Sequence, residues 1–278
     1  MEKYSVLMSL YKKEHPEYLR LALDSMINQT VEPDEIVLVE DGPLTDELYA
    51  VIDEYKEVLH IVKNEKNLGL GLALNKGLSA CKNEFVARMD TDDISMPARC
   101  EMQLKHFEMH PETTILGGQI EEFISSSSEV VGRRVVPEND EEIKKYMKKR
   151  CPFNHMTVMF KKSEVIKAGS YQDWFSNEDY DLWIRLALKG AHFENLPEVL
   201  VQARVGLEMY ERRGGKRYYE SEKQIQRFMY KTKLIDKRLY IMNCMKRFIV
   251  EIVLPNKIRG IVFRLFAREQ HRGIHISC

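Results

Sequence analysis

Between residues 4 and 110 the chain alternates four times between a short apolar run and a segment with helical spacing. The runs are YSVLMSL (4–10), DEIVLVEDG (34–42), LHIVKN (59–64) and EFVARMD (84–90). Apolar runs this short and this continuous predict strands buried on both faces. The segments between them predict helices over 16–29, 45–57, 69–81 and 96–111, with Pro16 in a first turn and Thr45 as an N-cap. The pattern is that of an α/β fold, a Rossmann-like, doubly wound sheet flanked by helices. Ligands of such sheets gather beyond the carboxyl ends of the strands. Those ends read Ser9, Asp41, Asn64 and Asp90.

Past residue 111 the pattern loosens. Residues 113–124 and 129–137 predict antiparallel strands around the Ser125–Ser128 turn. Residues 139–150 predict an exposed helix with acids first and bases last, which suits the helix dipole. A strand and short helix follow over 155–171, an amphipathic helix over 177–190 closing at Gly190, and a last strand over 194–205. No internal repeat is present.

The fourth strand runs into Asp90, Asp92 and Asp93. Three carboxylates at the end of a buried strand repel one another, so a purely structural role is awkward. A hard divalent cation relieves that repulsion and bridges carboxylates to phosphate oxygens. The plainer reading is that Asp92 or Asp93 caps the helix that follows.

Four stretches, residues 5–42, 67–103, 155–171 and 177–190, resemble family 2 glycosyltransferases of the GT-A fold, in order and spacing. The resemblance covers roughly residues 4–205 and implies a mixed central sheet with a nucleotide-binding half (1–110) and an acceptor-side half (111–205). It implies Ser9 and Tyr11 beside the base and ribose, and Asp41 bonding the base. It implies Asn67 and Gly69 in a loop near the nucleotide, with Asn75 and Lys76 on the helix after it. Asp90-Thr91-Asp92 matches the D-x-D motif. Asp90 and Thr91 then face the ribose or donor sugar, Asp92 holds Mn²⁺ or Mg²⁺ against the diphosphate, and Asp93 supports the cluster or caps the helix.

An inverting transfer also needs a base for the acceptor hydroxyl. Resemblance to the family's ED motif makes Asp179 that base and puts Glu178 on an acceptor or donor hydroxyl, although acids at a helix start are also ordinary helix chemistry. Trp183 lies one turn beyond Asp179, where it either stacks on a sugar or packs in the core. His155 matches a family histidine on the acceptor side. Arg185 and Arg204 match positions that pair with the acids or the diphosphate. One departure stands out: no histidine follows the last core strand until His271, and QARVG offers only Gln202 and Arg204.

Residues 206–278 carry 17 Lys and Arg against 7 Asp and Glu, near +10, whereas the whole chain is at −1. Apolar and aromatic residues recur there at helical spacing with bases between, and Pro255 is expected to divide the stretch into at least two helices. The segment reads either as helices packed on the catalytic domain or as a basic amphipathic extension for an anionic membrane surface. No nucleic-acid module is recognisable. Five scattered cysteines form no metal-binding spacing, and neither a signal-type leader nor a spanning apolar run is apparent, so the expected compartment is the cytoplasm, peripheral to the inner membrane face.

Together these expectations describe a metal-dependent, inverting glycosyltransferase. Its donor is a nucleotide-diphosphate sugar, expected to be UDP-linked and carrying a hexose or N-acetylhexosamine. The acceptor is a glycan or polyprenyl-linked glycan hydroxyl in polysaccharide biosynthesis. The alternatives are a sugar-nucleotide nucleotidyltransferase, whose Gly-rich loop is missing after the first strand, and a non-catalytic nucleotide- or glycan-binding protein.

Overall fold

A computed structural model describes residues 2–206 and 214–255. The four apolar runs are strands β1 (Tyr4–Leu10), β2 (Glu35–Asp41), β3 (Leu59–Asn64) and β4 (Phe85–Arg88). All three pairings among them, β1 with β2, β2 with β3 and β1 with β4, are parallel. Between them lie helices α1 (Pro16–Ile27), α2 (Asp46–Glu54) and α3 (Leu70–Ala80). Pro16 occupies the first turn of α1, and the Thr45 hydroxyl accepts the Leu48 amide at the start of α2.

After β4 come the two-residue strand β5 (Ile94–Ser95), helix α4 (Arg99–Met109), and strands β6 (Thr113–Phe123) and β7 (Val130–Arg134). Helix α5 (Asp140–Met147) follows, its first turn capped by Asn139 onto the Glu142 amide. A 3₁₀ turn (His155–Thr157) then leads to β8 (Met159–Lys161), α6 (Lys162–Lys167), α7 (Glu178–Leu188) and β9 (His192–Arg204). The main sheet path is β3-β2-β1-β4-β8-β6-β9-β5, with β7 on the side of β6. Strand β8 is antiparallel to both β4 and β6, and β9 is parallel to β6, so the sheet is mixed.

Alternate residues of the central strands feed two cores. Leu7, Val37 and Val39 face α3 and α7, while Val6, Met8, Ile36 and Leu38 face α1, α2 and α4. The basic C-terminal segment joins the first of these. Its helix α8 (Lys216–Lys231) and the turn behind it send Ile225, Met229 and Ile235 into one cluster with Tyr180 and Trp183. A first break falls over 232–236, where Lys233 takes a positive φ of 62° and the Asp236 carboxylate caps α9 (Lys237–Phe248) at the Leu239 amide. A π-helical turn (Ile249–Val253) continues α9, and Pro255 lies just past it. The portions of the extension at 207–213 and 256–278, His271 included, lie outside the described residues.

The helix after the acidic cluster also starts later than expected. Residues 94–95 pair with β9, and the N-cap of α4 is Ala98, without a side-chain cap bond. None of the three aspartates therefore caps it.

Gly71, in the first turn of α3, lets α7 come close. A Cβ there would stand 2.5 Å from the Gln172 carbonyl oxygen and 2.9 Å from Glu178 Cβ. The obstacle is backbone, so Gly71→Ala should push the start of α7 outward. The expected cost is about 1–3 kcal/mol in urea unfolding, with loss of catalytic turnover. Unchanged stability and turnover would refute this account of how α7 is seated.

Candidate active site

A cleft of about 670 Å³ opens at the carboxyl ends of β1, β2 and β4 and the N-terminus of α7. Ser9, Tyr11, Asp41, Asn67, Gly69, Asp90, Thr91, Asp92, His155, Glu178 and Asp179 all line it. The topology brings together groups up to 170 positions apart because each ends, or starts, an element at the same edge of the sheet.

Asp41 organises one wall. One carboxylate oxygen accepts the Leu68 amide (2.8 Å) and the Asn64 side-chain amide (2.9 Å), and the other accepts the Gly69 amide (3.0 Å). Gly69 presents that amide from φ 88°, a region that disfavours other side chains. Asn67 donates to the Asp41 carbonyl oxygen. Asn75 and Lys76 are not on this wall: half-buried Asn75 accepts the Ser79 hydroxyl through its carbonyl, and exposed Lys76 donates to the Lys63 carbonyl behind β3. Both sit past the first turn of α3, rotated away from the cleft.

The opposite wall carries the acids. Carboxylate oxygens of Asp90, Asp92 and Asp93 lie within 4.8 Å of one another. Arg88, the last residue of β4, is 2% exposed and pairs with Asp90, yet its Nε and Nη1 atoms are buried without hydrogen-bond partners among the described residues. Burial, then the charges of Asp92 and Asp90, push the Asp93 carboxyl well above the ordinary range. The cluster thus holds more negative charge than Arg88 offsets, and hard oxygen donors in that number fit Mg²⁺ or Mn²⁺. Half-buried Asp92 faces the cleft, where it could hold the cation, whereas Asp93 is committed to the fold by accepting the Arg204 amide at 2.7 Å.

The Arg204 side chain bonds backbone among the described residues. Its Nε donates to the Asp92 carbonyl (3.1 Å), and its guanidinium lies over the rings of Tyr18 and Phe123. Gln202 donates to the Ser127 carbonyl.

The third wall is the start of α7. One oxygen of Asp179 accepts the Tyr180 amide at 2.7 Å, and the Cys151 thiol lies 3.4 Å from the other. Burial raises the Asp179 carboxyl, with that amide, Cys151, Arg134 and Arg88 opposing the shift. Burial and the adjacent Asp179 push the Glu178 carboxyl up to about 8. His155 is held neutral by burial and the nearby Arg88, and its Nε2 lies 3.0 Å from the Tyr171 hydroxyl.

Two of the expected residues serve the scaffold. Trp183 is fully buried, edge-on to Phe153 at 5.4 Å between centroids, and cannot stack on a sugar in the cleft. The helical face it shares with Asp179 turns from solvent to core within one turn. Arg185 pairs with Asp181 at 2.8 Å and donates to the Ala168 and Ser170 carbonyls, pinning the loop before α7.

The resemblance did not draw attention to several other residues in the cleft. Arg88 was visible as a lone base inside an apolar run, and Arg134 as half of an arginine pair in β7. The C-terminal helices add Tyr218, Glu222, Arg247 and Glu251. Arg247 is paired with Glu222 at 2.7 Å, and Asn243 donates to the Lys148 carbonyl, which fixes the strip 148–151 along the cleft. Nothing in local sequence pattern links positions a hundred residues apart.

The profile of the family described as Glycosyl transferase family 2 matches residues 5–174. The amylovoran biosynthesis glycosyltransferase AmsE of Erwinia amylovora is 46% identical over 226 residues, covering 81% of this chain and 84% of that protein. The UDP-Gal:alpha-D-GlcNAc-diphosphoundecaprenol beta-1,3-galactosyltransferase of Escherichia coli is 38% identical over 268 residues, covering 96% and 97%. Among solved structures, S. aureus TarS 1-349 in complex with UDP-GlcNAc superposes with a TM-score of 0.65 at 18% identity, over 89% of this chain and 72% of that one, which bears on the fold alone. With a mixed GT-A sheet and this degree of kinship, the chain belongs to glycosyl transferase family 2 and is a glycosyltransferase.

Proposed function

We propose that the enzyme transfers a hexose or N-acetylhexosamine, with inversion, from a UDP-sugar to a hydroxyl of a lipid-linked glycan in polysaccharide biosynthesis. The observation that carries this reading is that Asp92 and Asp179 open on the same cleft from opposite sides. Ser9, Tyr11, Asp41 and the 67–69 loop hold the nucleoside, and Asp90 and Thr91 the ribose or donor sugar. A Mn²⁺ or Mg²⁺ ion at Asp92 supplies neutralisation of the diphosphate when bound. Asp179 accepts the proton of the acceptor hydroxyl as that oxygen attacks the anomeric carbon and the bond to the UDP oxygen breaks. Glu178 and neutral His155 orient sugar hydroxyls. The donor and acceptor classes follow the printed specificity of the E. coli relative.

The same reading places the protein at the cytoplasmic face of a membrane. No helix among the described residues is long and apolar enough to cross one. Residues 241, 242, 245, 248, 249, 252 and 253 nevertheless form one exposed apolar face along α9 and the π turn. Exposed Lys237, Arg238 and Lys246 adjoin it, a combination suited to an anionic bilayer surface.

Asp179→Asn should lower kcat by at least a thousandfold while leaving UDP affinity within about threefold. Asp92→Ala should instead abolish the metal-dependent part of UDP binding in calorimetry. Retained turnover in the first variant, or unchanged metal dependence in the second, would remove the respective assignment.

The raised Glu178 carboxyl has a consequence for stability. Its folded value of about 8 exceeds the ordinary 4.5, so its contribution is full below pH 4.5 and is lost as pH rises through 8. Asp179, Arg88 and Asp90 are the charged groups acting on it. In the ligand-free protein, Glu178→Gln should gain stability over the parent as pH climbs through that window, at up to about 1.4 kcal/mol per pH unit. A pH-independent difference in melting temperature would contradict the assignment.

Replacing Met245 and Ile249 by Asp should abolish flotation with vesicles containing phosphatidylglycerol and leave the circular dichroism spectrum intact. Equal flotation of both forms would rule out this face as the docking surface.

A further inference from the structure

One side of the cleft carries positive charge that the donor does not need. Arg134, at the end of β7, reaches the cleft beside Asp179, on the α7 side away from the D-x-D cluster. One of its terminal nitrogens donates to the Cys151 carbonyl at 3.1 Å, while its Nε is buried and donates to nothing among the described residues. Arg150 lies close enough for the two like charges to act on each other. Neither forms an ion pair among the described residues, whereas Arg247, the next base along the wall, is matched by Glu222. Lys149 also lines this end. Two guanidinium groups drawn together, one with a buried unpaired fork nitrogen, cost free energy unless an anion joins them. Planar forks of this kind match phosphate oxygens two at a time.

We propose that Arg134 and Arg150, assisted by Lys149, form a second diphosphate site that binds the sugar–diphosphate linkage of the lipid-linked acceptor. The inference rests on the acceptor reading above and adds the residues that would select it. The two diphosphates then flank the reacting sugars, the donor's at Asp92 and the acceptor's beyond Asp179. The strip 148–150 that carries Lys149 and Arg150 is held by Asn243 and Arg247 of α9, whose outer face is the exposed apolar one. The anionic linker and its lipid would therefore meet adjacent sides of a single helix. Filling the site with an anion also offsets the Arg134 field at Asp179, making that carboxylate a stronger base once the acceptor is in place.

Calorimetry with decyl diphosphate tests this directly, on protein saturated with UDP and Mg²⁺, with the metal in excess over both ligands. The parent should bind it. Arg134→Gln and Arg150→Gln should each weaken it at least tenfold with UDP affinity unchanged, and decyl phosphate should bind more weakly than the diphosphate. Arg150→Gln alters a half-exposed side chain and keeps the test sharp if Arg134→Gln fails to fold. Absence of decyl diphosphate binding, or equal binding by the variants, would overturn the site. Inorganic pyrophosphate binding as tightly as decyl diphosphate would assign it to a free anion and overturn the acceptor role. Failure of UDP itself to bind would instead count against the donor reading beneath it.

Discussion

The chemistry of this enzyme is organised around one buried cation. Arg88 ends a central strand and is almost wholly enclosed, and its field is felt by Asp93, Glu178, Asp179 and His155. A guanidinium cannot shed its charge, so burying one commits the fold to keeping carboxylates around it. Arg88 pairs with Asp90 on one side and opposes the upward shift of the α7 acids on the other. Together with burial it also lowers the pKa of His155. The acidic cluster and the start of α7 thus share an electrostatic centre although they lie far apart in sequence. Arg99 fixes the height of that centre by donating to the Arg88 and Val158 carbonyls from inside α4.

Around this centre the acids divide their tasks by what else they bond. Asp41 spends its carboxylate on shaping a loop, and Asp93 on anchoring β9. Asp92 and Asp179 line the cleft. Residue type alone does not distinguish these roles; position relative to strand ends and amides does. The same holds among the arginines, where Arg185 and Arg204 clamp backbone while Arg134 and Arg150 form no ion pair among the described residues.

The alternation of strands and helices over the first 110 residues was legible because each element's apolar period is local. The acidic run at 90–93 and the acids at the start of α7 stood out in the sequence, and the fold brings them to one cleft. For Trp183, helical spacing left stacking and core packing open because it fixes angle and not depth, and the side chain is fully buried. Asn75 and Lys76 lie off the cleft lining for a related reason, since past the first turn of α3 the cleft-facing side has rotated away. The β8 insertion between β4 and β6 and the parallel β6–β9 pairing depend on contacts distant in sequence. So does the contribution of α8 and α9 to the cleft, which a composition boundary near residue 205 obscured.

That last feature bears on how the protein comes into being. Ile225, Met229 and Ile235 seal the apolar space beneath α7 in company with Tyr180 and Trp183. A nascent chain that has emerged only as far as β9 carries Asp92 and Asp179 but leaves that space open, and α7 lacks the packing that sets its first turn. The start of α7 is therefore seated only once α8 has formed and docked beneath it. A chain that stops at β9 would hold the acids of both walls without the packing that sets their spacing.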